Sequence, residues 1–348
     1  MIFNSNRRTQ FVFKFGDFCL DIVDSFRYLG IEFSRTGNFY KCKKVIYEQA
    51  QKAMFSLMQT ARTQNLPSSI ILDMYQSMVV PILLYGSEIW GYENCNILEK
   101  LQIKFLKHLF RLSKSTMTHM IYGETGIYPL SVLIKMRMIR FWSTLISCNT
   151  HKYSSKLYSV LHNLYISNLY SSKWIQSIKD ILIETGFDCV WESQSFLNRE
   201  NLCKNVSHIL KDQFHQEWKQ ALNQSNKCLY YVNFKTSFCR ENYISQLPDV
   251  YVINLFKFRC SNHKLPIEIG RYSGMPRQNR ICKECNLDIL GDEFHFIMEC
   301  PKYKQLRDDY LPKSNMSPKS VYNFCKLFSS NKNVQLRLSK FIKFANVV

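Results

Sequence analysis

The sequence predicts a mainly α-helical chain with a small N-terminal β hairpin and a C-terminal cysteine–histidine knuckle. Three observations carry that expectation. Apolar residues alternate with a period of two only between residues 11 and 33. From Ile46 onward they recur at three- and four-residue intervals, the signature of buried helix faces. Near the end, Cys282, Cys285, His295 and Cys300 stand in the spacing Cys-x2-Cys-x9-His-x4-Cys.

Phe11, Phe13 and Phe15 alternate with Val12, Lys14 and Gly16, and Gly16-Asp17 is a turn signal at a hairpin position. Phe26 to Phe33 continues the strand pattern and closes at Arg35-Thr36-Gly37-Asn38. The first helix carries Ile46, Ala50, Ala53, Met54, Leu57 and Met58 on one face. Ser68 is expected to cap a second helix bearing Ile71, Met74, Tyr75 and Met78, which Pro81 interrupts. Ile82 to Trp90 is apolar without a clear period, so helix and strand both stay open there.

Asn96 with Glu99 three residues on reads as a capping box. Behind it Leu98, Leu101, Phe105, Leu109 and Leu112 share one face, and Lys100, Lys104, Lys107 and Arg111 the other. At ~100° per residue the four cations fall within roughly 60° of one another. A solvated helix face is the plain reading of such a stripe. The lack of an interleaved acid favours a phosphate backbone as its partner. Leu130 to Ile146 is helical, 147–172 is a polar linker with a short apolar helix inside, and 173–222 is helical with Trp174, Trp191 and Trp218 as core anchors. Lys257 to Arg280 reads as a basic, turn-rich approach to the knuckle. Leu311-Pro312 stops the chain before an amphipathic tail helix carrying Leu338, Phe341 and Ile342.

In 348 residues with 46% hydrophobic content there is material for a sizeable core. Lysine and arginine number 46 against 27 acids, a net charge of +19, which points to a polyanionic partner. No apolar run reaches the roughly 18 residues a membrane span needs. The best candidate, Ile70 to Trp90, is broken by Asp73, Gln76 and Glu88. A membrane is therefore not the expected partner. Aromatic residues at 14% exceed what a disordered basic tail would carry.

Three thiols and an imidazole form a complete tetrahedral ligand set for zinc, with no position left for water or substrate. The expected ion is therefore structural. A redox pair would sit at a strand-to-helix turn of a βαβ unit, and no such unit is visible. A disulfide framework needs an oxidising compartment, and no signal peptide is visible. A reducing intracellular setting, nucleus or cytoplasm, is the expectation. The other cysteines are Cys19, Cys42, Cys95, Cys148, Cys189, Cys203, Cys228, Cys239, Cys260 and Cys325; most are expected to be small buried apolar groups. Arg271, Arg277, Arg280 and Lys283 flank the knuckle as a second candidate nucleic-acid contact. The knuckle should be local, so loss of the ion should loosen 271–311 and spare the rest. Gly291-Asp292-Glu293 is read as turning the chain and orienting His295.

Catalytic motifs are missing. There is no Gly-x4-Gly-Lys phosphate loop and no Gly-x-Ser-x-Gly elbow. The only pair of adjacent aspartates, Asp308-Asp309, lies in a charged, helix-like stretch, not on a tight turn between apolar strands where a two-metal site belongs.

Several segments resemble, in order along nearly the whole chain, the region that follows the palm in non-LTR (LINE-type) retrotransposon reverse transcriptases. They are Phe26-Arg27-Tyr28-Leu29-Gly30-Ile31, then Pro81-Ile82-Leu83-Leu84-Tyr85-Gly86-Ser87-Glu88-Ile89-Trp90-Gly91. Tyr122-Gly123-Glu124-Thr125-Gly126, Tyr128-Pro129-Leu130 and Asn262-His263-Lys264-Leu265-Pro266-Ile267-Glu268-Ile269-Gly270-Arg271 follow, leading into the knuckle. The resemblance implies a primer-grip-like role for Tyr28, Leu29 and Gly30. It implies a β remnant of the palm at 1–38, a thumb-like helical unit at 39–146 and a second helical unit at 147–270. The zinc knuckle would then be 271–311 and the tail helix 312–348. In that family the catalytic aspartates lie upstream of Tyr-Leu-Gly, and Asn6-Arg7-Arg8-Thr9-Gln10 looks like a degraded Asn-x-x-Lys-Thr-Lys motif. The resemblance thus implies a fragment of an RNA-directed DNA polymerase that is no enzyme on its own. Its partners would be RNA or an RNA–DNA duplex, and a missing catalytic half. Two other readings remain: a co-opted zinc-stabilised protein-interaction module that docks its tail helix on a partner, and a decayed element without selected activity.

Overall fold

A computed structural model describes residues 12–147, 152–329 and 331–348. Asn6 to Phe11 and Cys148, named above, lie outside them. The alternating stretch forms two antiparallel hairpins. In the first, β1 (Phe13–Phe15) pairs with β2 (Phe18–Leu20); in the second, β3 (Ser25–Tyr28) pairs with β4 (Ile31–Ser34). The turn between β3 and β4 puts Leu29 at φ 47° and Gly30 at φ 82°, the left-handed pair that matches strand twist in a two-residue hairpin.

The remaining described chain is helical. In order come α1 (Tyr40–Thr63), α2 (Ser68–Met74), α3 (Val80–Leu83), α4 (Ser87–Trp90), α5 (Asn96–Leu109) and α6 (Thr118–Thr125). Then follow α7 (Leu130–Ser147), α8 (Tyr153–Ile166), α9 (Lys173–Glu184), α10 (Asp188–Ser193), α11 (Arg199–Asn223) and α12 (Tyr231–Phe234). The last are α13 (Tyr243–Gln246), α14 (Asp249–Arg259), α15 (Pro266–Tyr272), α16 (Lys304–Tyr310), α17 (Val321–Lys326) and α18 (Lys332–Phe344). The expected mainly helical fold with a small β start is what the structure has. Residues 82–90 are α3, a turn and α4. Lys257 to Arg259 is not turn-rich; it closes α14, whose apolar residues point nearly all round because it is buried.

By contact the chain divides into two units. The first comprises Met1–Leu57, Met74–Gln102 and Pro129–Phe214; the second comprises Met58–Asp73, Ile103–Tyr128 and His215–Val348. Each draws on three segments of the chain.

In the first unit Trp90 and Trp142 are fully buried. Their indole N–H groups donate to Tyr85 O at 2.9 Å and to the Tyr158 hydroxyl at 2.8 Å, so each buries its ring without stranding its donor. Pro81 does not end the helical path. A wide π-helical turn, Tyr75–Val79, precedes α3, which makes room for a ring that would strike the carbonyl four residues back in a regular helix. α4 lies close against α7 because Gly91 has no side chain: a Cβ there would sit 2.3 Å from Ile134 Cγ2. α8 turns Tyr158 inward and leaves Tyr153, Leu157, Val160 and Leu164 exposed.

Two of the segments quoted above, around Tyr28-Leu29-Gly30 and Tyr85-Gly86, meet in this unit. Tyr85 Oη donates to Leu29 O at 2.6 Å. Its ring lies where a Cβ on Gly30 would be 3.2 Å away, and a Cβ on Gly86 would run into Ile31 Cδ1 at 2.0 Å. The glycines are needed for these approaches as well as for their positive φ.

The second unit is built on aromatic packing. Phe110 stacks on Phe256 at 3.9 Å, and Phe296 lies 5.7 Å from Phe258 and 5.1 Å from Phe341. The tail helix α18 buries Leu338, Phe341 and Ile342 in this core, packed on α14. Its apolar face is therefore already covered, which corrects the expectation of a face free for a partner. At the centre, Glu124 of α6 and Arg259 of α14 are both fully buried and make a bidentate pair at 2.7 and 3.0 Å. Tyr243 Oη donates to the same carboxylate at 2.7 Å. Burial opposes the charge on Glu124, but Arg259 and Lys235 outweigh it and hold the carboxyl below the usual carboxylate range.

Two expected caps are supplied differently. Ser68 does not cap α2 with its own oxygen; its N–H and hydroxyl donate to Asp249 at 2.7 and 3.0 Å. At α5 the Asn94 side chain accepts from Asn96 N at 2.8 Å, while Glu99 accepts from Leu130 N at 2.8 Å, at the start of α7.

Candidate metal centre

The knuckle begins with a short antiparallel bridge between Ile281 and Leu290. Cys282 N donates to Ile289 O and Gly291 N to Arg280 O, both at 2.8 Å. This ties the Cys-x2-Cys loop at its neck. Gly291 is needed where the neck meets α15, since a Cβ would lie 2.7 Å from Pro266 Cγ. Gly291→Ala is expected to lower stability by about 1–3 kcal/mol through that clash, read as a drop in melting temperature; an unchanged value would mean that Pro266 yields freely.

Asp292 then starts a π-helical turn, His295–Glu299. Its Oδ1 accepts from His295 N at 2.9 Å and its Oδ2 from Tyr230 Oη at 2.8 Å. The acid thus positions the ligand histidine, as its place in the sequence suggested. Glu293 points elsewhere, to His263 Nε2 at 3.0 Å. The turn brings His295 and Cys300 back over Cys282 and Cys285, and the four donor atoms all lie within 4.8 Å of one another. Cys282 Sγ and Cys300 Sγ are 3.9 Å apart; Cys285 Sγ and His295 Nε2 are 3.4 Å apart. Tetrahedral bonds of about 2.3 Å to sulfur and 2.0 Å to nitrogen require edges of roughly 3.5–3.8 Å. A disulfide would need the sulfurs at about 2.05 Å. The four side chains could hold a metal ion.

Surrounding groups fit a bound cation. His295 Nδ1 faces Glu299 Oε2 at 3.4 Å, leaving Nε2 for the ion. Burial, together with the neighbouring Cys282 and Cys285 sulfurs, pushes Cys300 up to about 12, while the Lys302 backbone N–H acts the other way. A metal reverses that cost by taking the thiolates as ligands. Three thiolates, an imidazole and a divalent ion carry one net negative charge. Buried Arg307 is close enough for Cys300 to act on its charge, and its Nη1 has no hydrogen-bond partner. The π-helical turn also places Phe296, Ile297 and Met298 in the core. The knuckle is therefore less local than its sequence suggests.

The other predicted residues scatter. Lys100 and Lys104 are exposed on α5; Lys107 is half-buried and donates to Lys114 O at 2.6 Å. Arg111 lies beyond the end of α5, at φ 52°, so it leaves the helical stripe. That conformation costs a non-glycine residue roughly 1 kcal/mol. Arg280 is used internally, bonding Met275 O at 2.9 and 2.7 Å and Ile267 O at 3.0 Å. Arg271 pairs with Glu268 at 3.0 Å; Arg277 is half-buried, and Lys283 is exposed. Tyr28 and Leu29 are exposed at the hairpin tip. Asp308 and Asp309 lie exposed on α16, as expected of a plain helix face. No helix among the described residues is long and apolar enough to cross a membrane. Sequence reasoning missed Glu299 and Arg307 at the metal centre. A carboxylate one turn after the ligand histidine was the available signal for the first; the second had none. Compared with protein-family models, with curated proteins and with solved structures, the chain matches none.

Proposed function

We propose that this chain binds RNA or an RNA–DNA duplex through its basic surface, that its metal is zinc, and that the ion is structural. Zinc is favoured by the donor set. Three soft thiolates and one imidazole suit it, and a set of four leaves no open position. The observation that carries nucleic-acid binding is the exposure of Lys100 and Lys104 on a chain with net charge +19. The same helix buries Leu101 and Phe105, so its cations are held outward by the packing of the opposite face. The likeness to the post-palm region of LINE-type reverse transcriptases supports the same reading. So does the packing of Tyr85 on the Leu29-Gly30 turn, which joins two of the segments that carry the likeness. In this reading the chain does no chemistry of its own and would serve a catalytic partner.

Fluorescence anisotropy with a labelled RNA and a labelled RNA–DNA duplex tests it. Log affinity should fall against log salt with a slope of about −0.7 to −0.9 per phosphate neutralised. Lys100→Glu with Lys104→Glu should weaken binding by about tenfold at moderate salt. Absence of binding at low ionic strength, or an affinity that salt leaves unchanged, would reject the reading in favour of a protein-interaction module. In that alternative the docking face would lie elsewhere than on the apolar side of the tail helix, which is packed on α14.

A further inference from the structure

The second unit contains a cleft of about 750 Å³ whose rim is basic and whose remaining lining is largely apolar. Arg62 at the end of α1, Lys107 at the end of α5, and Arg111 just beyond it supply the charge. Leu66, Pro67, Leu112 and Ile253 also line it, none of them buried. The one acid in the lining, Asp249, has both carboxylate oxygens taken by Ser68. Arg62 Nη2 lies 3.4 Å from His108 Nε2, a ring nitrogen able to accept from the guanidinium.

Arg111 is the telling residue. Its N–H donates to His108 O at 3.2 Å and the next N–H, from Leu112, to Lys107 O at 2.8 Å. This is the helix-ending turn whose left-handed position glycine usually fills. An arginine held there at φ 52° lines the cleft at a cost in backbone strain. The surroundings add to the positive field. Burial, with Lys227 next, holds Lys107 below the usual lysine range. Burial, then Arg111 and Lys264, does the same to Lys257.

We infer that this cleft takes a single-stranded stretch of polynucleotide, its phosphates against Arg62, Lys107 and Arg111 and an unpaired base against Leu66, Pro67 and Leu112. The inference rests on the nucleic-acid-binding reading above and names the form of polynucleotide recognised here. A paired base presents only its edge, whereas an unpaired one can lay its face on an apolar wall. Its volume of about 750 Å³ is on the scale of a couple of nucleotides.

The test uses the full chain, a fluorescein-labelled oligouridine RNA and an RNA–DNA duplex of equal length. Arg111→Gly should weaken oligouridine binding by about fivefold to tenfold and flatten its salt slope by about 0.7. Its melting temperature should stay equal or rise, because glycine fits the turn. Arg62→Gln should act likewise on binding, and duplex affinity should change less than twofold in both variants. The inference is overturned if oligouridine binding survives both substitutions, or if both probes weaken equally. Neither outcome touches the broader reading, which instead fails if the unaltered chain binds neither probe.

Discussion

Cys285→Ser is expected to lose the bound ion and to loosen far more than the Cys-x2-Cys loop. Serine keeps the size of the side chain but offers no thiolate, so one corner of the tetrahedron is gone. Binding of a structural zinc is coupled to folding with free energies on the order of 10 kcal/mol in small domains, and most of that would go with the ligand. The disturbance should pass from Cys300 and His295 into Phe296, Ile297 and Met298, and from Phe296 to Phe258 and Phe341. Metal analysis should fall from one equivalent to none. Hydrogen exchange should rise across 281–311 and also in α14 and α18. Retention of one equivalent would refute the ligand assignment. Loss of metal with exchange confined to 281–311 would show the knuckle to be local after all.

The second large effect concerns the buried ion pair. Arg259→Met should destabilise the second unit by about 3–5 kcal/mol, because the Glu124 carboxylate would stay buried without its bidentate partner. Glu124→Gln combined with Arg259→Met should recover much of that loss, since the penalty belongs to the orphaned charge. Urea unfolding of the single and double variants measures both; a double variant no better than the single one would refute the charge argument. The pH dependence follows in sign. Glu124 has a folded pKa below its unfolded value, so its contribution is fully present above the unfolded carboxylate range. It is lost as pH falls through the lower folded value. Stability should therefore drop on acidification below about pH 4, and Glu124→Gln should remove part of that slope.

What could be read in the sequence was whatever rests on local period and spacing. The strand stretch, the long helices and the four candidate metal ligands all declare themselves within a few residues, through alternation, three-and-four spacing and donor type. What could not be read depends on partners distant in the chain. Ser68 looked like a cap, but Asp249, 181 residues away, satisfies its donors. Nothing near Glu124 or Arg259 announces the other, 135 positions away. Arg111 fell on the helical stripe by arithmetic alone, and left it because α5 ends at Leu109. The tail helix looked unpartnered for a similar reason: the α14 surface it covers is far off in sequence.

The interleaving of the two units has a consequence for synthesis. Each closes only when its third segment has been made: Pro129–Phe214 for the first, His215–Val348 for the second. Residues 58–73 and 103–128 would leave the ribosome long before Asp249 and Arg259 exist to receive Ser68 and Glu124. During that interval Ile71, Leu72 and Phe110, all buried at the end, would be open to water and to chaperones. A nascent chain arrested shortly after Phe214 should accordingly resist protease in its first unit while residues 103–128 are still cut.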